Sequence, residues 1–292
     1  FFVAFCALNS DFDVRLLILT TATVSIVTNL LFYMWKILSL RIALVWLLTT
    51  YDNHNEIKTR NYSTVFKHSI GWYDHQLFLR DLYLHSRWKA LITQIIEQSE
   101  QGVRNLLPIL TPDITVNVVA IDRNIDIVGG VTGRADAPGV IEVMLSTATQ
   151  GGVSASARQA LTSTMYHELH HLVTGWTMTE NKYGPMHGIP IATVNEGLAS
   201  VFAETYTDEY FAEAYDYPEQ VAEWLDEIMQ LPLDANYNHW LSGFHPDGRS
   251  AIGYRLGRYV IHEAMRKTGK NILEVSEMTP DAILQLVMSD PE

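Results

Sequence analysis

Residues 167 to 171 read His-Glu-Leu-His-His, inside a segment patterned as a helix. From Ser154 to Thr174 the chain contains neither Pro nor Gly; Gly175 then stands as a C-terminal cap, and Ser154 or Ser156 is placed to cap the start. Leu161, Met165, Leu169, Leu172 and Val173 recur at helical spacing and predict a face buried in a core. Thr164, His167, His171 and Thr174 fall on another stripe, which predicts a face turned to a cleft. On such a helix His167 and His171 are one turn apart, close enough for both imidazoles to reach one metal ion. Glu168 is rotated by about 100° from His167, so its carboxylate sits beside that metal rather than on it. The plain alternative is a surface helix whose histidines are solvated. His170 projects to the side opposite Glu168, which predicts a supporting or surface position.

The third ligand decides the class of site. A metzincin continues with Gly three residues and His six residues after the second histidine; here those positions hold Thr174 and Thr177. A deformylase-type site needs an upstream cysteine, and the only one is Cys6, in a hydrophobic stretch. Glu196, in Asn-Glu-Gly-Leu-Ala and 25 positions after His171, fits the gluzincin pattern, in which a second helix presents a glutamate. That helix is expected from Val194 to about Tyr215. With His167, His171 and Glu196 as ligands, a fourth position stays open for water, as a catalytic Zn2+ requires. An Asn-Glu pair is also common at helix starts, where Asn caps and Glu favours the dipole.

The stretch from about Ile114 to Thr207 resembles a bacterial family of predicted zinc-dependent proteases of unknown function. The residues that carry the resemblance are Gly129-Gly130-Val131-Thr132-Gly133, Val140 to Leu145, His167 to His171, and Glu196-Gly197-Leu198-Ala199. A later Gly253-Tyr254-Arg255-Leu256-Gly257 is similar to the family's Gly-Tyr-x-Leu-Gly segment and extends the match to roughly residue 285. The resemblance implies a gluzincin-like peptidase and brings no defined substrate.

Peptide hydrolysis at a metal needs a donor for the oxyanion that forms on the carbonyl. Tyr254, His187 and His245 are the candidates. Tyr254 is preferred because it opens a helix-like run to Arg266 and lies in the matching segment; a core or interface tyrosine is the alternative. His187 sits in a Gly/Pro-rich loop between the two expected ligand helices, and His262-Glu263 lacks a second histidine. Val140 to Leu145 is a six-residue strand that could form the edge above the cleft, where a substrate backbone would add. Gly129-Gly130 reads as a turn needing positive φ and not as a phosphate loop.

The 292 residues, 48% hydrophobic, suffice for one sizeable core or a core plus an extra segment. Net charge is −13, and no Lys or Arg occurs between Lys182 and Arg249, while Glu196 to Asp247 carry twelve acidic residues. That distribution argues against nucleic acid as a partner. It either steers basic peptides or merely solvates helix faces. Leu16 to Trp35 is a 20-residue uncharged stretch, long enough to span a bilayer but carrying four Thr, a Ser and an Asn. Four readings stand: a transmembrane helix, a two-helix hairpin, a buried helix, or non-native upstream sequence. A chain beginning with Phe reads as a fragment or a processed product. Membrane anchoring through residues 16–50 is the expectation, and Lys36 and Arg41 against Arg15 put the catalytic side in the cytoplasm.

The expected architecture is α+β and mainly helical, a zincin-like domain of gluzincin type with a small sheet. Residues 1–50 form the hydrophobic segment, 51–69 a polar linker, and 70–292 the catalytic domain, with Asp74 to about Gln98 as one or two helices packed on it. The expected function is peptide-bond hydrolysis, with Zn2+ on His167, His171 and Glu196, Glu168 as general base and Tyr254 at the oxyanion. A metal-binding sensor or scaffold at the membrane without proteolysis is the rival.

Overall fold

A computed structural model of the chain describes residues 62–67, 75–108, 110, 113–179 and 187–289. The expectations for residues 1–50, membrane attachment included, lie outside these. None of the described helices is long and apolar enough to cross a membrane. Residues 61–292 form one compact unit, so the unit begins several residues before the expected position 70. Part of the expected linker is in fact a strand, β1 (Tyr62–Lys67).

Helix α1 (His75–Leu106) is a single helix, the first of the two expected alternatives, and runs eight residues beyond Gln98. Strands β2 (Ile114–Ile121), β3 (Val131–Ala137) and β4 (Val140–Ser146) follow. The four strands order β1-β2-β4-β3. β1, β2 and β4 run parallel, and β3 pairs antiparallel with β4 as a hairpin closed at Pro138-Gly139. Burial alternates along β2 and β4: Val116, Val118, Ile141, Val143 and Leu145 face inward, as one covered sheet face demands.

Helix α2 (Gly152–Thr174) lies across that face with Ala157, Ala160, Leu161, Met165 and Leu169 fully buried. The expected stripe is therefore right at Leu161, Met165 and Leu169, whereas Leu172 and Val173 are only partly covered. Neither Ser154 nor Ser156 caps the helix, which starts two residues earlier behind Gly151; Ser156 Oγ instead bonds the Ser146 carbonyl at 3.1 Å. Gly175 caps the other end in the left-handed conformation, as expected.

Helix α3 (Gly188–Tyr206) is the central rod, buried on every side from Ala192 to Ala203. It starts six residues before the expected Val194 and ends nine before Tyr215, which belongs to a separate turn, α4 (Ala212–Tyr215). Pro190 stands in its first turn, where a missing N–H costs nothing. Helices α5 (Val221–Met229), α6 (Ile252–Thr268), α7 (Ile272–Ser276) and α8 (Pro280–Met288) complete the unit.

α3 and α6 cross at backbone contact. A Cβ added to Gly257 would lie 2.2 Å from the Thr193 carbonyl oxygen, and one added to Gly197 2.4 Å from the Gly257 carbonyl. Only paired glycines allow that crossing, and it brings Tyr254, one turn before Gly257, to the level of Glu196.

Candidate metal centre

Three ligand atoms converge between α2 and α3. His167 Nε2 and His171 Nε2 are 3.0 Å apart, and Glu196 Oε2 lies 3.1 Å from the first and 3.3 Å from the second. A tetrahedral site with zinc–ligand bonds of about 2.0–2.1 Å has ligand atoms roughly 3.3 Å apart. The observed triangle is within a few tenths of an ångström of that. Two imidazole nitrogens and one carboxylate oxygen are also the donor set of a catalytic zinc site, and among the described residues this is the group of His, Cys, Asp and Glu able to hold a metal ion. The residues present fit the ion.

Glu196 sits mid-helix, eight residues into α3, so it is no helix-start glutamate serving the dipole. Burial pushes its carboxyl up, but the neighbouring His171 charge and the bonds from both histidines outweigh this and hold it well below the usual range. Burial pushes His171 down, yet Glu196 and then Glu168 raise it overall. Both shifts describe a nest that favours carboxylate beside cation. The second Glu196 oxygen accepts from Trp176 Nε1 at 3.3 Å. Trp176, just past α2, carried no signal in the sequence; an aromatic in an ordinary loop is unremarkable until the loop folds back on a ligand.

Glu168 is buried and points beside the triangle, not into it. Its carboxyl is raised by burial, with His167 and His171 pulling the other way. Strand β3 passes directly over it: a Cβ on Gly133 would lie 2.7 Å from Glu168 Cγ. The two glycines before that strand have their own reasons. Gly129 and Gly130 turn at φ 69° and 83°, a region that side chains rarely adopt, with Phe211 and Ser156 filling the space a Cβ would need.

The strand expected at the cleft edge is not there. β4, residues 140–146, is interior to the sheet, and β3 is the edge on the metal side. Hairpin pairing returns β3 outside β4, an order that period-two patterning does not encode. Met178 N–H bonds the Ala135 carbonyl at 2.9 Å and Thr179 N–H the Asp136 carbonyl at 3.1 Å, covering the end of β3.

Tyr254 lies beside the ligand histidines. Its ring stacks on His167 at 6.1 Å and 19°. Burial and then the Glu196 charge push its hydroxyl well up. Tyr215 is there as well, 6.3 Å from the Tyr254 ring, and the sequence offered no hint of it. Of the other candidates, His187 is the cap residue of α3, with its ring 5.5 Å from Trp176. His245 belongs elsewhere, 2.8 Å from Asp247 and packed on Trp240. His262 meets the Tyr217 hydroxyl at 3.3 Å. His170 is a supporting residue and not a surface one: it is buried, 2.9 Å from Ser276 Oγ on α7, with its ring against Phe202.

The family model described as "Predicted Zn-dependent protease (DUF2268)" matches residues 92–285. The chain belongs to this family. The match runs from within α1 to within α8, so it covers the sheet from β2 onward, both ligand helices and the Tyr254 helix. No curated protein and no solved structure matches the chain. In this member of the predicted zinc proteases, the Gly-Gly-x-Thr-Gly and Gly-Tyr-x-Leu-Gly segments have structural explanations: the first lays β3 on Glu168, and the second brings α6 against α3.

Proposed function

We propose that the chain is a zinc-dependent peptidase of gluzincin type. The observation that carries this reading is that His167, His171 and Glu196 converge at ligand spacing while Glu168, from the same helix, stands next to them with its carboxylate left over. Zinc at such a centre supplies Lewis acidity and makes water acidic enough to act as a nucleophile near neutral pH.

The remaining work falls to the protein. Glu168 takes a proton from the attacking water and passes it to the leaving amine, a role helped by a carboxyl whose affinity for protons burial has raised. Trp176 donates to the other Glu196 oxygen and so holds that carboxylate in one orientation. Tyr254 lends its hydroxyl to the oxyanion that develops on the substrate carbonyl. The outer edge of β3 from Val131 to Gly133 pairs with no strand among the described residues, so a peptide backbone can add there as an extra strand beside Glu168.

The test is digestion of unfolded casein and of a mixed peptide pool by the full chain loaded with one zinc, followed by mass spectrometry, alongside Glu168→Gln. Cleavage by the parent and none by the zinc-retaining variant is expected. A folded, zinc-loaded parent that cleaves nothing sinks the reading.

A further inference from the structure

Helix α4 is a single turn, too short to be stable by itself, yet it is fastened with unusual thoroughness. Arg258 of α6 makes two 2.7 Å bonds to Glu204 and lies 4.8 Å and 5.4 Å from the rings of Tyr210 and Tyr217, which flank α4 on either side. One turn earlier on α6, Arg255 donates to the Glu213 carbonyl within α4 at 2.7 Å. Tyr210 bonds Asp216 and Tyr217 meets His262, so both flanking phenols are engaged. The phenol between them is not. Among the described residues the Tyr215 hydroxyl has no hydrogen-bond partner, and its ring completes a file of three: His167, Tyr254, Tyr215.

We propose that Tyr215 is a second substrate-facing phenol of this centre, donating a hydrogen bond to the oxyanion beside Tyr254. The proposal rests on the peptidase reading above. Pre-aimed donors are effective because nothing has to reorganise as charge develops, and the clamp of Arg255 and Arg258 supplies that aim. The hydroxyl also stays a donor: burial, then the charges of Glu196 and Glu168, push it up to about 12. Tyr237, which also feels Glu196, is 47% exposed and stands at the rim.

The experiment compares full-length, zinc-loaded parent and Tyr215→Phe, which preserves shape and removes only the oxygen. Three quantities are read: zinc affinity by chelator competition, kcat and KM on a peptide the parent cleaves, and calorimetric affinity for a phosphinic peptide, whose tetrahedral oxyanion mimics the reacting centre. The expected result is unchanged zinc affinity, KM within about threefold, kcat down on the order of 10²-fold, and phosphinic peptide binding weakened at least tenfold. Parent-like kcat and phosphinic binding in Tyr215→Phe overturn this assignment alone. A loss of activity that tracks loss of zinc also overturns it, because the role is then structural. A zinc-loaded parent that neither cleaves peptide nor binds the phosphinic peptide overturns the peptidase reading and this assignment with it.

Discussion

Gly133 and Glu168 meet where no larger pair fits: a Cβ on Gly133 would come within 2.7 Å of Glu168 Cγ and 2.8 Å of its Oε1. Glu168 must move aside, and Thr164, whose Cγ2 would lie 2.9 Å away, must give slightly, so most of the cost of a methyl group falls on the aim of Glu168. Gly133→Ala is expected to keep its zinc and its melting temperature within a few degrees while kcat falls at least about tenfold, as displaced general bases do. Zinc content, melting temperature and kcat on one preparation check this. Parent-level kcat would contradict it.

The contact between Gly257 and Thr193 is of the opposite kind, because the obstacle is backbone. Gly257→Ala forces α6 away from α3, an overpacking expected to cost about 1–3 kcal/mol. A thermal melt should fall by several degrees, and zinc should bind more weakly because the crossing that is pushed apart packs directly against Gly197, the neighbour of Glu196 on α3. A variant as stable as the parent would mean that the helices separate freely.

Trp176 holds the Glu196 oxygen that faces away from the histidines. Trp176→Phe keeps the ring and deletes the N–H. Residues that orient metal ligands in this way typically contribute about 10–100-fold in metal affinity, so zinc dissociation is expected to rise about tenfold with little change in fold. Competition with a chromophoric chelator reads it directly, and unchanged affinity would make the contact incidental.

His170 makes stability depend on pH. Burial, then the neighbouring His171, hold its folded-state value well below the ordinary one, whereas unfolding returns it to about 6.5. Between those values the unfolded chain binds the extra proton, so stability rises with pH and is lost as pH falls below about 6.5. The slope is at most about 1.4 kcal/mol per pH unit. His170→Asn should be less stable at pH 7, having lost its Phe202 contact, yet show a shallower decline between pH 7 and 5 in chemical denaturation. Parallel declines in parent and variant would refute the assignment.

Much of the centre was legible in the sequence because its pieces are local. A helix period of 3.6 puts His167, Glu168 and His171 in fixed relation whatever surrounds them, and the buried Leu161, Met165 and Leu169 orient that helix. Pro190 concealed the start of α3, since Gly-Ile-Pro reads as loop although a first turn tolerates proline. β1 reads as linker because its partner is β2, some fifty positions on, and six residues set within a polar stretch carry little signal of parallel pairing.

By itself, the sequence determined the ligand helix, the candidate ligands His167, His171 and Glu196, and the Gly-Gly turn into β3, all short-range matters of period, spacing and backbone freedom. Only the tertiary structure decided that β3 and not β4 forms the edge, that Trp176 holds Glu196, and that Tyr215 joins Tyr254. Each of these depends on which surfaces meet after burial, and contacts across tens of residues leave no periodic trace along the chain.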